Sequence, residues 1–191
     1  VAAANRFDIK QIDAVEIDPV IADIGKKYHP EEPYSKGNVK LFIDDARSFI
    51  KGSKKKYEMI VYALLDSQTN LSSKGGIRLD SYVYTIEAFK EAKNILDEDG
   101  IMYLSFFVQA PELGFKLYKM LEEVFGYEPL VLKSDLNDRY VFVARNNISS
   151  KLEIDNLIYF KKTKIFDNNF STKVDLSTDD WPFIYMPVKV Y

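Results

Sequence analysis

The chain has 191 residues, 47% hydrophobic and 14% aromatic with 13 Tyr and 13 Phe, a composition that suits one ring-rich packed domain with an appended segment and argues against disorder. Its 26 basic and 29 acidic side chains are interspersed and leave a net charge of −3, so no nucleic-acid partner is expected. There is no cysteine to form a disulfide, a thiolate metal site or a nucleophile, and the single histidine, His29, is too little for a metal cluster.

No apolar run approaches the roughly 20 residues that span a bilayer, and no signal peptide is recognisable, which predicts a soluble, cytoplasmic chain. The opening "VAAANRF" lacks an initiator Met and reads as the interior of something longer. In "IDAVEIDPVIADIGKKY" the apolar residues do not alternate cleanly with polar ones, the habit of a parallel strand covered on both faces. The strand meets Glu16 and Asp18. Asp18 before Pro19 is a helix start, and Ile21, Ile24 and Tyr28 follow at helical spacing. "NVKLFIDDARSFI" repeats the plan, a strand through Val39, Leu41 and Ile43 that ends on Asp44 and Asp45 ahead of a short helix. A third strand runs from Tyr57 to about Leu65 and closes on Asp66.

"SYVYTIEAFKEAKNILDEDG" is predicted to be a helix capped by Thr85, with Ile86, Phe89, Ala92 and Leu96 inward, that stops at the Asp99-Gly100 turn. "IMYLSFFV" is the next buried strand, and Pro111 opens a helix with Leu113, Leu117, Leu121 and Val124 on one face. "PLVLKS" and "RYVFVAR", joined by "DLND", suit an antiparallel hairpin. From about Asn146 the alternation stops and a polar tail runs to "STDDWPFIYMPVKVY". The predicted architecture is therefore α/β: a Rossmann-like three-layer sandwich over residues 1–145, its sheet mostly parallel with a C-terminal antiparallel hairpin, and an extension over 146–191 packed on the same domain.

Such sheets bind ligands beyond the carboxyl ends of their strands, where Glu16, Asp45 and Asp66 sit. A carboxylate ending the second strand of a nucleotide-binding sheet accepts hydrogen bonds from ribose hydroxyls roughly 20 residues after a glycine fingerprint. Counting back from Glu16 runs off the chain, so the first strand and its glycine-rich turn are expected upstream and are missing here. The remaining bland readings are a solvated strand end for Glu16 and a helix cap for Asp45.

"DAVEIDPVI", "LFIDDARSFI", "YEMIVYALLD" and "YVYTIEAFKEAKNILDEDGIMYLSF" together resemble successive motifs of the spermidine synthase-like, polyamine aminopropyltransferase-like branch of class I S-adenosylmethionine-dependent proteins. The resemblance spans roughly Val1 to Arg145. It implies that Glu16 holds the ribose of S-adenosylmethionine or decarboxylated S-adenosylmethionine, that Asp45 with Ala46 receives the adenine, and that a small-molecule acceptor, an amine, is the partner. One departure stands out: where these enzymes carry a pattern like D-[ST]-x-D-P, the first position is Ala63, the second aspartate is kept as Asp66, and the proline is Ser67. Asp66 is then the remaining catalytic candidate, and spermidine synthesis from putrescine is in doubt.

Tyr82 and Tyr84 are candidates to line the acceptor pocket, with core packing as the competing reading, and the polar stretch Ser67–Ser81 reads as a lid or a plain loop. "TDDWPFIY" resembles the end of such domains in multi-span relatives, which raises attachment to membrane-spanning segments outside this chain. The alternative to a transferase is a non-catalytic nucleotide-binding or structural module, which Ala63 favours. A nicotinamide-dependent oxidoreductase leaves "DDAR" and "YVYTIEAF" unexplained. With its central strand absent, the chain is expected to bind S-adenosylmethionine poorly, and either to rearrange or to take a strand from another chain as a homo-oligomer.

Overall fold

In a computed structural model, the structure describes residues 1–63, 79–149, 152, 157–164, 166 and 172–189. Two compact units divide it, Val1–Ser53 and Lys54–Tyr191.

The first unit is built on two parallel strands, β1 (Ile12–Glu16) and β2 (Val39–Ile43), in register from Ile12 opposite Val39 to Glu16 opposite Ile43. Helix α1 (Pro19–Tyr28) follows β1 and α2 (Ala46–Gly52) follows β2. Asp18 caps α1 as its sequence predicts, its Oδ1 accepting from the amides of Val20 at 2.7 Å and Ile21 at 3.4 Å. The helical spacing also holds, but only Ala22 of α1 is buried, while Ile21, Ile24 and Tyr28 are 53%, 48% and 77% exposed.

The second unit carries a sheet in the order β3-β4-β6-β5-β7, made of β3 (Tyr57–Ala63), β4 (Leu96–Phe107), β5 (Leu130–Ser134), β6 (Arg139–Arg145) and β7 (Phe160–Lys162). Strands β3 and β4 are parallel, and β5 and β6 form the antiparallel hairpin expected from "DLND". Helices α3 (Ile86–Asn94) and α4 (Pro111–Phe125) pack on β4 and β6. The core lies there, with Phe89, Ala92, Met102, Leu104, Phe106, Leu117, Met120, Leu121, Phe142 and Ala144 fully buried. The other side of β6 packs Val141 and Val143 with Leu132, against Ile101, Tyr103, Leu152 and Phe160.

Two findings differ from the sequence reading. The third helix ends at Asn94, and Leu96 already belongs to β4, opposite Tyr57. The next matched pair is Met59 with Ile101, so the "DEDG" turn is absorbed as a bulge inside the strand pair rather than ending a helix. Gly100 makes this bulge feasible, because a Cβ there would lie 2.9 Å from both the Tyr57 carbonyl oxygen and the Asp97 nitrogen. Strand β7 is the second: the tail contributes three residues to the sheet edge, paired with β5 from Leu132 opposite Lys162 to Ser134 opposite Phe160.

Helix α4 is covered on more than the predicted face. Gly114 lies against the tail residue Phe166, whose ring tip would come within 2.3 Å of an added Cβ. Phe166 is itself held between Tyr140 and Phe142, with ring centroids 5.3 and 6.0 Å away, so it has little freedom to yield. Gly114→Ala is therefore expected to destabilise the protein by about 1–3 kcal/mol through overpacking, read as a fall in thermal midpoint, and Phe166→Leu in the same chain should recover part of the loss.

Candidate functional site

Parallel pairing brings the carboxyl ends of β1 and β2 side by side, and the Asp44 amide donates to the Glu16 carbonyl at 3.1 Å. Glu16 and Asp45 are thus gathered at one end of the first unit, both half-buried. The two carboxylates are used alike. Glu16 Oε1 accepts from the Asp18 amide at 3.0 Å, and Asp45 Oδ1 caps α2 by accepting from the Ser48 amide at 2.8 Å. Among the described residues no hydrogen bond engages the second oxygen of either. The capping reading of Asp45 is thus realised, and it leaves an acceptor to spare. Ala46, the first residue of α2, sits beside it.

Tyr34 belongs to the same end, a residue that sequence reasoning did not single out. Its ring lies against α1 where a Cβ on Gly25 would be 2.9 Å from ring carbon Cε2, and burial, with the Glu16 charge adding to it, raises the phenol's pKa. No periodicity marks Tyr34, because its role depends on the chain folding back from α1.

In the second unit β3 ends at Ala63, which is exposed and paired in register with Ser105. Residues 64–78 fall outside the described residues, and with them Asp66 and most of the expected lid. The 3-10 turn Leu79–Val83 leads into α3. Tyr82 is half-buried in it, whereas Tyr84 is a core residue, its ring edge-on to Phe106 at 5.2 Å and tilted to Tyr62 at 6.3 Å. Thr85 caps α3, its hydroxyl accepting from the Ala88 amide at 3.2 Å.

Lys116 was invisible to sequence reasoning. It is fully buried on α4, donates from Nζ to the carbonyls of Phe183 and Met186 at 2.7 Å each, and lies 4.3 Å from the centroid of the Trp181 ring. Burial lowers its pKa to about 7, with Asp175 opposing the shift and Lys189 adding to it. A neutral amine still has two N–H groups for the two carbonyls. Among the described residues no cluster of His, Cys, Asp or Glu could hold a metal ion, and no helix is long and apolar enough to cross a membrane.

The fold is that of Rossmann-like methyltransferase-fold proteins. Human methyltransferase-like protein 13, solved in complex with SAH, superposes with a TM-score of 0.62 at 20% identity, covering 80% of this chain and 68% of that one. Spermidine synthase from Thermotoga maritima does so with a TM-score of 0.58 at 15% identity, over 93% of this chain and 57% of that one. The spermine/spermidine synthase domain matches residues 4–123, and the chain belongs to that family. A polyamine aminopropyltransferase of Buchnera aphidicola is 30% identical over 183 residues, 89% of this chain. The chain spans 60% of the length of that relative.

The Lys116 site has a consequence for stability. From pH about 7 up to the ordinary lysine value of 10.5, the unfolded chain holds a proton on this residue that the folded chain has released. The unfolded state then binds more protons, so stability rises with pH across that window. Denaturant unfolding at pH 7 and pH 9.5 should show the wild type gaining stability relative to Lys116→Met as pH rises. A pH-independent difference would mean that the buried group stays an ammonium throughout.

Proposed function

We propose that the chain forms part of a transferase that uses S-adenosylmethionine or its decarboxylated form and delivers a group to a small amine. The observation that carries this reading is the pair of half-buried carboxylates, Glu16 and Asp45, each committing one oxygen to its own backbone and keeping the other. Two adjacent ribose hydroxyls are donors suited to Glu16, and an exocyclic adenine amino group is a donor suited to Asp45. Family membership and the SAH named with a structural neighbour support the same ligand class. The bound nucleotide would supply an electrophilic carbon next to its sulfonium. The residues proposed to handle the acceptor are Asp66, as the remaining carboxylate, and the Tyr82 turn, with Tyr84 supporting it from the core.

A protonated amine must give up a proton before its nitrogen can attack, and a positioned carboxylate both holds the cation and accepts that proton. Ala63 can do neither. Standard spermidine synthesis is therefore proposed to be weak, and a different amine is the better acceptor. Ala63 is also what favours the second reading, a nucleotide-binding module without catalysis.

Calorimetry and product analysis on the full-length protein separate these readings. Glu16→Ala should weaken S-adenosylmethionine binding by about 1–3 kcal/mol, the scale of lost hydrogen bonds to a charged group. An unchanged dissociation constant removes Glu16 from the ribose role. With putrescine and decarboxylated S-adenosylmethionine, the wild type should form little spermidine, and Ala63→Asp should raise the rate by about 100-fold or more, the usual contribution of a positioned base. Rapid spermidine formation by the wild type would overturn the role given to Ala63. Nucleotide binding without transfer to any primary amine, in either protein, would favour the non-catalytic module.

A further inference from the structure

We propose that the tail segment Ser177–Met186 is a strap that fixes the start of α3, with Asp179 as the positioning residue for the Tyr82 turn. The inference rests on the reading of that turn given above.

One proton decides the geometry of this junction. The Thr85 hydroxyl has a single hydrogen to donate, and among the described residues two acceptors face it: Asp179 Oδ1 at 2.8 Å and the Tyr82 carbonyl at 3.4 Å. The carboxylate is nearer and charged, so it takes the proton. With the hydrogen pointed at Asp179, a lone pair of the same oxygen is left facing the Ala88 amide, which donates to it at 3.2 Å. Asp179 thereby sets the rotor of the residue that caps α3.

Two further bonds join the same elements. The Ile86 amide, a first-turn donor that α3 cannot satisfy internally, donates to the Ser177 carbonyl at 2.9 Å, and the Asp179 amide donates to Glu87 Oε2 at 2.9 Å. Three consecutive residues at the start of α3 are thus held by two residues of the tail. Thr85 and Ser177 are both fully buried, so water does not compete at the centre of this junction.

The strap is anchored at its other end by Lys116, through the Phe183 and Met186 carbonyls and the Trp181 ring, and by Ile184, buried in the core. Between the anchored cap and Tyr82 lie only two residues, and the Tyr84 amide is itself tied to the Ser81 carbonyl at 3.1 Å. The Tyr82 turn thus leads into the α3 start through Val83 and Tyr84 alone, both buried. A shift of the cap is transmitted to the side chain proposed to meet the amine, and small misplacements of positioning groups are costly in transfer reactions.

The test compares Asp179→Ala with Asp179→Asn in the full-length protein. Asparagine keeps an acceptor oxygen for Thr85, whereas alanine removes it. With putrescine, cadaverine and spermidine as probe amines, Asp179→Ala should raise the KM of the best-used amine by about tenfold, through misplacement of the Tyr82 turn. The S-adenosylmethionine dissociation constant should stay within about twofold, and Asp179→Asn should restore most of the amine KM. Amide hydrogen exchange, which needs no substrate, should accelerate at Ile86–Ala88 in the alanine variant while Met102 and Leu104 remain protected. Unchanged exchange at Ile86–Ala88 overturns the strap. Accelerated exchange with an unaltered amine KM overturns the positioning role of Asp179. Absence of transfer to all three amines by the unmodified protein sinks the transferase reading, and the exchange data then decide the strap on their own.

Discussion

Strand β6 is buried along both of its faces, and the second unit is organised by the need to cover it twice. One face is met by α4, through Phe142 and Ala144, and the opposite face by the cluster around Leu132, Val141 and Val143. Helices drawn from between the strands supply the first cover. The second draws on the tail, since Leu152 and Phe160 pack there and β7 extends the sheet beside β5. Once the tail is committed to the sheet, its later part returns over α4, placing Phe166 on Gly114 and Trp181 above Lys116.

That return explains a titratable amine in a fully buried place. An ammonium is costly to bury unless its protons are accepted and its charge is offset. The Lys116 amine meets two backbone carbonyls and an aromatic face, and Asp175 lies near enough to favour its charged form. The same contacts satisfy carbonyls of a segment that, among the described residues, contributes no regular ladder of its own beyond the Thr178–Trp181 bridge. The lysine and the tail are therefore mutually dependent: each supplies the polar partners whose absence would make the other's burial unfavourable.

In the first unit the constraint is different. A helix that begins immediately after a strand must find acceptors for its first amides, and short acidic side chains are the economical solution. Asp18 and Asp45 serve in this way, and Glu16 reaches forward to the Asp18 amide. Because a carboxylate has two oxygens, the same residues hold the backbone and still face outward with acceptor capacity. Structural and ligand-directed readings of Glu16 and Asp45 do not compete, since the first fixes the orientation on which the second depends.

What was legible in the sequence was local. Asp18 and Thr85 could be recognised as caps because each bonds to amides two or three residues away, and the β5–β6 hairpin because its turn lies between the paired strands. The order of the motifs carried the fold and the family, since alternation of strand and helix is written in periodicity. The α3 boundary was misread because Leu96 is drawn into β4 by Tyr57, 39 positions away in the chain, and the helical pattern has no record of that partner. Lys116 lay on what reads as a solvent face of α4, and only the returning tail, 67 and 70 residues further on, converts it into a buried one. Asp179 was visible within "TDDW", but its bond to Thr85 closes a separation of 94 residues. Periodicity and capping report on neighbours within a turn or two; which distant segment covers a face is decided by packing in three dimensions, and here that decision belonged to the tail.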